Sequence, residues 1–281
     1  MQKKIIASKV QAYLSKKIRT RVLIGAIDYR LPEWIEIRNV YIEDQQKDTL
    51  LYGGKLAVEI NLLKLIKGET DIRKISLENI KANVYRNAGD SNYNFQFIVN
   101  AFASPKATKK DTSALNITLK EFEVYGFSFT YKDDYGGNHL TANIKDLDIT
   151  VNKFQPDKML FDLNKIKINY SSIQYVSFKT INSTASSANS STGSLHISLK
   201  SLQLNNDNIK YDDDTKLVQK KGLDPAHLDI KIMRANVSDI IYNTDSIMAV
   251  INQFAFKEKS GLTLDTTHAR ITYSNKKFFC C

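Results

Sequence analysis

The sequence has almost no cysteine and no long apolar run. Cys280 and Cys281 are its only cysteines, and two adjacent residues cannot cross-link a fold, so a disulfide framework is excluded. The uncharged stretches 91–105 and 180–199 are rich in Asn, Ser and Thr, and neither predicts a bilayer-spanning helix. The first 20 residues also lack the apolar centre and cleavage site of a secretory signal.

Catalytic motifs are missing as well. The four histidines have no metal-ligand spacing, and there is no GxGxxG, P-loop or GxSxG sequence. His139 and His227 each precede a Leu and are interpreted as structural positions of a repeat. The acidic runs Asp133–Asp134 and Asp212–Asp214 lack the spacing of a calcium loop and are predicted to be solvated turns. The sequence therefore predicts no catalytic residue, cofactor or metal site, and a protein that is not an enzyme.

Positive charge is concentrated at the N-terminus. The 281 residues carry a formal net charge of +10, and residues 1–30 hold eight Lys and Arg against a single acid, Asp28. The rest of the chain is nearly neutral, which argues against a nucleic-acid partner because such proteins carry a basic stripe over the folded surface. The basic N-terminal segment instead indicates an anionic partner.

One short pattern recurs through the chain. It has the form apolar-x-apolar-x-x-apolar-x-apolar, and five of its seven copies are polar at every x position. Two copies sit in long matching stretches, ITLKEFEVYGFSFTYKDD from Ile117 and ISLKSLQLNNDNIKYDDD from Ile197. The copies begin at Ile35, Ile75, Ile117, Ala142, Phe161, Ile197 and Ile230.

The pattern predicts a bulged β-strand. Alternation places apolar side chains on one face of a strand. One extra residue at a β-bulge bends the strand, and the apolar side chains beyond the bulge return to the same face. An amphipathic helix is the rival interpretation, but the period-2 flank at Phe127, Phe129 and Tyr131 favours a strand. We therefore predict a mostly β protein, a curved, repeat-built antiparallel sheet forming an open apolar groove like a folded taco, with an N-terminal amphipathic helix.

Turn signals and two insertions divide the repeats. Tyr52–Gly54, Asn87–Asp90 and Asp133–Asn138 predict hairpin turns. The insertions 103–114 (ASPKATKKDTSA) and 181–194 (INSTASSANSSTGS) are interpreted as flexible hairpin loops, since the repeat resumes after each. The predicted organisation is a helix over 1–21 and one β-repeat domain over 22–281.

Three helices are predicted. Residues 5–18 place Ile6, Val10, Tyr13, Leu14 and Ile18 on one stripe, with cationic residues around it. Such a helix either lies on an anionic membrane or caps the open end of the sheet. Residues 91–102 and 245–254 are predicted to be short helices at the sheet edge. The membrane-surface hypothesis assigns the anionic contact to Lys3, Lys4, Lys9, Lys16, Lys17 and Arg19.

Three features of the sequence are shared with a known family. They are the segment Val40 to Phe102, the His-Leu strand starts at His139 and His227, and FKEKSGLTLD from Phe256 to Asp265. In these features the chain resembles the TamB/AsmA-like proteins of the Bacteroidota. The resemblance implies a periplasmic envelope protein that is anchored in the inner membrane and carries phospholipid along an apolar groove. It also implies a partner, an outer-membrane barrel protein similar to BamA, and a role in outer-membrane protein assembly or secretion. The chain starts after the membrane-spanning segment expected for the family and stops at Cys281, so a fragment or truncated product is expected.

Three functions remain open from the sequence. The first is a segment of a lipid conduit, in which phospholipid acyl chains cover the apolar face. The second is an assembly scaffold that offers strand edges to client chains, and the third is a closed β-sandwich without a ligand. For the conduit, the predicted groove-lining residues are Ile75, Leu77, Ile117, Leu119, Phe122, Val124, Ile144, Leu163, Leu199, Leu202 and Ile232.

Overall fold

The computed structural model describes residues 2–30, 33–61, 71–102, 119–155, 158–180, 195–274 and 277–280. They form two helices and thirteen strands. The helices are α1 (Gln2–Ile18) and α2 (Gln96–Phe102). The strands are β1 (Val22–Arg30), β2 (Trp34–Glu43), β3 (Thr49–Ile60), β4 (Ile72–Arg86), β5 (Glu121–Asp133), β6 (Asn138–Gln155), β7 (Leu160–Ser177), β8 (His196–Asp213), β9 (His227–Asn243), β10 (Ser246–Glu258), β11 (Thr263–Leu264), β12 (Ala269–Ser274) and β13 (Lys277–Cys280).

The strands form one curved sheet that is not closed into a barrel, as the repeat pattern predicted. Its order follows the chain from β1 to β10, then β12 and β13, while the short β11 pairs with β10. The sheet runs without a break past both insertions. Two of its pairs are parallel, β4 with β5 and β7 with β8. The hairpin interpretation of the connections at 87–90, 103–114 and 181–194 is therefore wrong, although 103–114 and 181–194 themselves lie outside the described residues.

The extra residue of the repeat is a real backbone feature. In nine successive strands the register skips one residue, and these skipped positions face one another in a line that we call the first crease. Many of them have the left-handed backbone, with φ between 51° and 73°. Such a residue bends its strand, and alignment of the bends folds the whole sheet along the line. The first crease consists of Gly25, Asn39, Gly54, Asn79, Gly126, Lys145, Tyr170, Asn206 and Met233.

A second crease crosses strands β7 to β9. It runs through Asn164, Lys200 and Asp239, where the register again skips a residue. Each of these positions lies six residues from a first-crease position in the same strand. The copies that begin at Phe161 and Ile197 span this second line, whereas those that begin at Ile35, Ile75, Ala142 and Ile230 span the first.

Three predicted local structures are wrong or shorter than expected. Residues 245–254 are not a helix: Asp245 lies in a turn, and the rest belongs to β10, which pairs with β9 on one side and β12 on the other. Of the predicted helix over 91–102, only Gln96–Phe102 is helical. Tyr52–Gly54 lies inside β3 rather than at a turn, because Gly53 and Gly54 allow close approach of Leu56 and Asn79. The predicted hairpin turn at Asp133–Asn138 is confirmed between β5 and β6.

Helix α1 packs against the edge of the sheet. Gln11 accepts a hydrogen bond from the backbone N–H of Ile24 at 3.0 Å, and Ser15 Oγ accepts one from Val22 N–H at 3.2 Å. Ala7, Ile18 and Val22 are buried at this contact. The helix therefore covers part of the β1 edge, which would otherwise present open backbone groups.

Candidate functional site

The apolar side chains of neighbouring strands align in continuous rows across the sheet. The register places the corresponding repeat positions of β2 to β10 next to one another, so the rows run perpendicular to the strands. The first row is Ile35, Val58, Ile75, Phe122, Ile149, Ile166, Leu202, Val237 and Ile251. The second is Ile37, Leu56, Leu77, Val124, Leu147, Ile168, Leu204, Ala235 and Phe254. The third is Val40, Gly53, Ile80, Phe127, Ile144, Ser171, Asp207, Ile232 and Phe256.

The predicted groove residues lie on this one face. Ile75, Phe122 and Leu202 belong to the first row, Leu77 and Val124 to the second, and Ile144 and Ile232 to the third. Leu163 pairs with Leu199 beyond the second crease, and Leu119 lies just before β5. Ile117 lies outside the described residues. The register thus places seven of the eleven positions in the three rows and pairs two more, Leu163 and Leu199, with each other.

The apolar face is only partly covered. Most side chains of the three rows, such as Ile75, Phe122 and Leu202, are only partly buried. Leu119, Val124, Leu199 and Ile232 are buried among their neighbours, but Ile209 on the same face is 38% exposed. A closed sandwich would bury such residues, and the open sheet does not.

One polar pair interrupts the third row. Asp207, 2% exposed, accepts a hydrogen bond from the backbone N–H of Ser171 at 2.7 Å. Its other carboxylate oxygen, Oδ2, has no hydrogen-bond partner within the described residues. Sequence reasoning missed this pair, although Leu202, Leu204, Asp207 and Ile209 follow the repeat spacing with an acid at an apolar position.

An ion pair closes one end of the apolar face between the parallel strands β4 and β5. Arg86 Nε and Nη2 donate to the two oxygens of Asp133 at 2.8 and 2.6 Å. The guanidinium lies over the rings of Tyr93 and Tyr135, at 4.7 and 4.6 Å from their centroids. Asp133 is 3% exposed, so the prediction of a solvated turn is wrong for this residue, because Arg86 from the adjacent strand neutralises it.

The protonation of Asp133 reflects these contacts. Burial by itself would raise the pKa of the Asp133 carboxyl, but the hydrogen bonds from Arg86, Gly136 N–H and Tyr131 lower it to about 2. Tyr93 also donates to Asp133, at 3.2 Å. The carboxylate is therefore charged at neutral pH and holds the segment that precedes α2 against the sheet.

A second buried acid fixes the β2–β3 turn. Asp44, 1% exposed, accepts hydrogen bonds from Tyr85 Oη at 2.8 Å, Asn94 Nδ2 at 3.1 Å and two backbone N–H groups of its own turn. Burial would raise the pKa of Asp44, but the hydrogen bonds from Tyr85 and Asn94 lower it below its ordinary value. This network positions the segment leading into α2 close to the C-terminal end of α1.

The opposite face of the sheet is polar. Lys74 lies 2.6 Å from Glu123 and 3.2 Å from Glu121, and its pKa is raised chiefly by the hydrogen bond to Glu123. Burial, followed by the nearby charges of Asp146 and Glu123, raises the pKa of Asp148. The two faces therefore differ in chemistry, as strand alternation requires.

The predicted membrane-surface residues all belong to α1 or its end. Lys9, Lys16, Lys17 and Arg19 are exposed, while the side chains of Lys3 and Lys4 are not described. Of the predicted apolar stripe, Ile6 and Tyr13 are exposed and Ile18 is buried against the sheet. The docked helix thus presents cations outwards, but only part of the apolar stripe is free to meet a membrane.

No protein-family model matches the chain, and no curated protein matches it in sequence. Within the described ranges, no helix is long and apolar enough to cross a membrane, and no three His, Cys, Asp or Glu side chains are grouped as metal ligands. The geometry of the apolar face is therefore the main basis for a functional proposal.

Proposed function

We propose that the apolar face binds phospholipid acyl chains and forms part of a conduit between the inner and outer membranes of a cell envelope. The observation that carries the proposal is the set of aligned apolar rows on an open sheet. Apolar side chains that remain half-exposed over such a length favour a ligand that covers them. Acyl chains meet this need without requiring polar partners.

The dimensions of the face suit this role. Nine adjacent strands, β2 to β10, lie about 4.8 Å apart and give rows roughly 38 Å long. This length is similar to the hydrocarbon thickness of a bilayer, about 30 Å. The chains of one phospholipid would occupy only part of a row, so a lipid could move from one set of side chains to the next without entering water.

We also propose that the protein is a non-enzymatic member of the TamB/AsmA-like family, with the inner membrane and a BamA-like barrel protein as partners. The support is the resemblance of Val40 to Phe102 and the bulged-strand repeat. A conduit of this kind belongs in the periplasm, where lipids must cross water between two membranes.

The scaffold for outer-membrane protein assembly is the second candidate function. It needs strand edges that clients can join. The first part of the β1 edge is covered by Gln11 and Ser15 of α1, so client pairing there would require α1 to leave. The apolar rows favour lipid over client strands, because an added strand pairs with an edge and leaves the face uncovered.

The test introduces a carboxylate on the apolar face where the fold tolerates it. Leu119 and Leu199 are buried, so a carboxylate there would destabilise the sheet with or without lipid. Ile209 is exposed enough for Ile209→Glu to keep water contact in the empty protein. Gln203→Glu is the matched control, because it adds the same charge to the opposite face of β8.

Phospholipid that co-purifies with each variant is then extracted and measured by mass spectrometry. We expect the parent and Gln203→Glu to retain phospholipid, and Ile209→Glu to lose most of it at a similar unfolding midpoint. Absence of lipid from the parent, or equal retention by both variants, would contradict the conduit. Retention of an unfolded client chain instead of lipid would support the scaffold.

A further inference from the structure

A cavity of about 790 Å³ lies between the C-terminal end of α1 and helix α2. Three of its lining side chains are cations, Lys16, Lys17 and Arg19, and none is an acid. Tyr13 and Phe97 supply aromatic walls. Ligand sites in proteins commonly measure about 300 to 1,000 Å³, so the cavity has the size of a binding site.

The three cations have no carboxylate partner within the described part of the chain. The ion pairs there join other residues, and Lys17 instead lies 5.8 Å from the centre of the Phe102 ring of α2. Cations at a helix C-terminus also interact favourably with the helix dipole. That effect explains their position in the sequence, but it does not explain why they border a cavity with a second helix.

The walls of the cavity are held in place by the sheet. Gln11 and Ser15 join α1 to β1, and Gln45 of the β2–β3 turn donates to the backbone oxygen of Ile18 at 3.4 Å. On the other side, Asn94 ties the approach to α2 to Asp44. An anion entering the cavity would therefore meet cations on a fixed frame rather than on a mobile tail.

The segment that lines one wall of the cavity also contacts the apolar side of the sheet. The segment that supplies Phe97 to the cavity begins with Tyr93, whose ring packs on Tyr131 and whose hydroxyl lies 2.8 Å from the Tyr131 hydroxyl. Tyr131 continues β5 on the apolar side beyond Phe127 and Phe129. A molecule with a charged end and an apolar end could place its charged end in the cavity and its apolar end against this aromatic segment.

We propose that this cavity binds the phosphate group of an anionic phospholipid headgroup. A phosphate carries several acceptor oxygens and negative charge, which match two ammonium groups and one guanidinium. The aromatic walls of Tyr13 and Phe97 favour a ligand with an apolar part over free phosphate. The choice of lipid rests on the proposed function, whereas recognition of phosphate rests on the three cations alone.

Binding is tested by calorimetric titration of the whole protein with dihexanoyl phosphatidylglycerol below its micelle concentration, and separately with inorganic phosphate. The variant K16Q/K17Q/R19Q removes the three cavity cations. The matched control K3Q/K4Q/K9Q removes three charges from the N-terminal half of the same helix. We expect the cavity variant to bind the phospholipid about tenfold more weakly or worse, and the control to bind like the parent.

A third variant, K16R/K17R/R19K, keeps the charges and should keep binding, which separates loss of the site from loss of the fold. Equal weakening by both Gln variants would overturn the proposal in favour of general surface charge. Inorganic phosphate binding as tightly as the phospholipid would overturn the lipid assignment. The variant Ile209→Glu distinguishes failure of the two proposals. Tight phospholipid binding by this variant would show that the cavity binds the headgroup even if the apolar face retains no lipid.

Discussion

The Arg86–Asp133 ion pair gives a prediction whose size follows from the structure. Asp133→Asn keeps the shape of the side chain but removes its charge, leaving the guanidinium of Arg86 enclosed by Tyr93 and Tyr135. Breaking a buried pair on one side costs about 3 to 5 kcal/mol. The Arg86 side chain keeps 18% of its exposure, so we expect a loss of about 2 to 4 kcal/mol in the free energy of unfolding.

The same pair predicts a pH dependence. The pKa of Asp133 is about 2 in the folded protein, against an ordinary value of 3.8, and this difference corresponds to about 2.5 kcal/mol at about 1.4 kcal/mol per pKa unit. Because the folded pKa is lowered, this stability is fully present above the unfolded pKa. It should be lost as the pH falls from about 5 towards about 2.

Urea unfolding followed by circular dichroism measures both effects. The difference between the parent and Asp133→Asn should be large at pH 7 and shrink as the pH is lowered through that window. Asp134→Asn is the matched control, since this neighbouring carboxylate is 46% exposed and lies 2.7 Å from His139 Nε2. We expect it to cost less than about 1 kcal/mol. A loss for Asp133→Asn no larger than that of the control, or a difference that does not change with pH, would refute the reasoning.

Two further predictions concern the crease and the sheet edge. Gly126 has φ of 73°, and an added Cβ would lie 2.9 Å from Asn79 Oδ1, so Gly126→Ala should lower the free energy of unfolding by about 1 to 2 kcal/mol. The control Gly89→Ala, where an added Cβ would have nothing within 4 Å, should change it by less than about 0.5 kcal/mol. Equal urea unfolding midpoints for the two variants would contradict a strained crease. Gln11→Ala with Ser15→Ala removes the side chains that accept hydrogen bonds from the β1 backbone. The double variant should lose about 1 to 3 kcal/mol of the free energy of unfolding and should self-associate more in sedimentation velocity. A double variant that is monomeric and as stable as the parent would rule this out.

The repeat predicted the strands and their faces well because both follow from side-chain alternation. Residues such as Ile75, Phe122 and Leu202 lie on the apolar face because each strand repeats the same spacing of apolar residues. The extra residue also predicted the bends. Which copies share a bend could not be read from the spacing, because strands such as β8 carry two bends six residues apart and a copy fits either one.

The topology and the polar contacts were harder to predict. A Gly-rich turn and a Ser-rich insertion are both typical of connections between strands. One joins antiparallel strands here, and the other joins parallel strands. The ion pair of Arg86 with Asp133 depends on parallel pairing of β4 with β5, so an acidic run beside a turn gave no sign of it. The cavity between α1 and α2 depends on Asn94 reaching Asp44, a contact between residues fifty positions apart.

The two parallel pairs divide the sheet into three meanders, β1–β4, β5–β7 and β8–β13, each built from neighbouring antiparallel strands. Within a meander each strand pairs with a strand that is close to it along the chain, so each meander can form early, and the parallel seams can join afterwards. Such an architecture can grow by insertion. One more meander of three strands would lengthen every apolar row by roughly 15 Å without altering the strands on either side. The span of the apolar face is therefore set by how many meanders a chain encodes, and a short and a long version would share one cross-section.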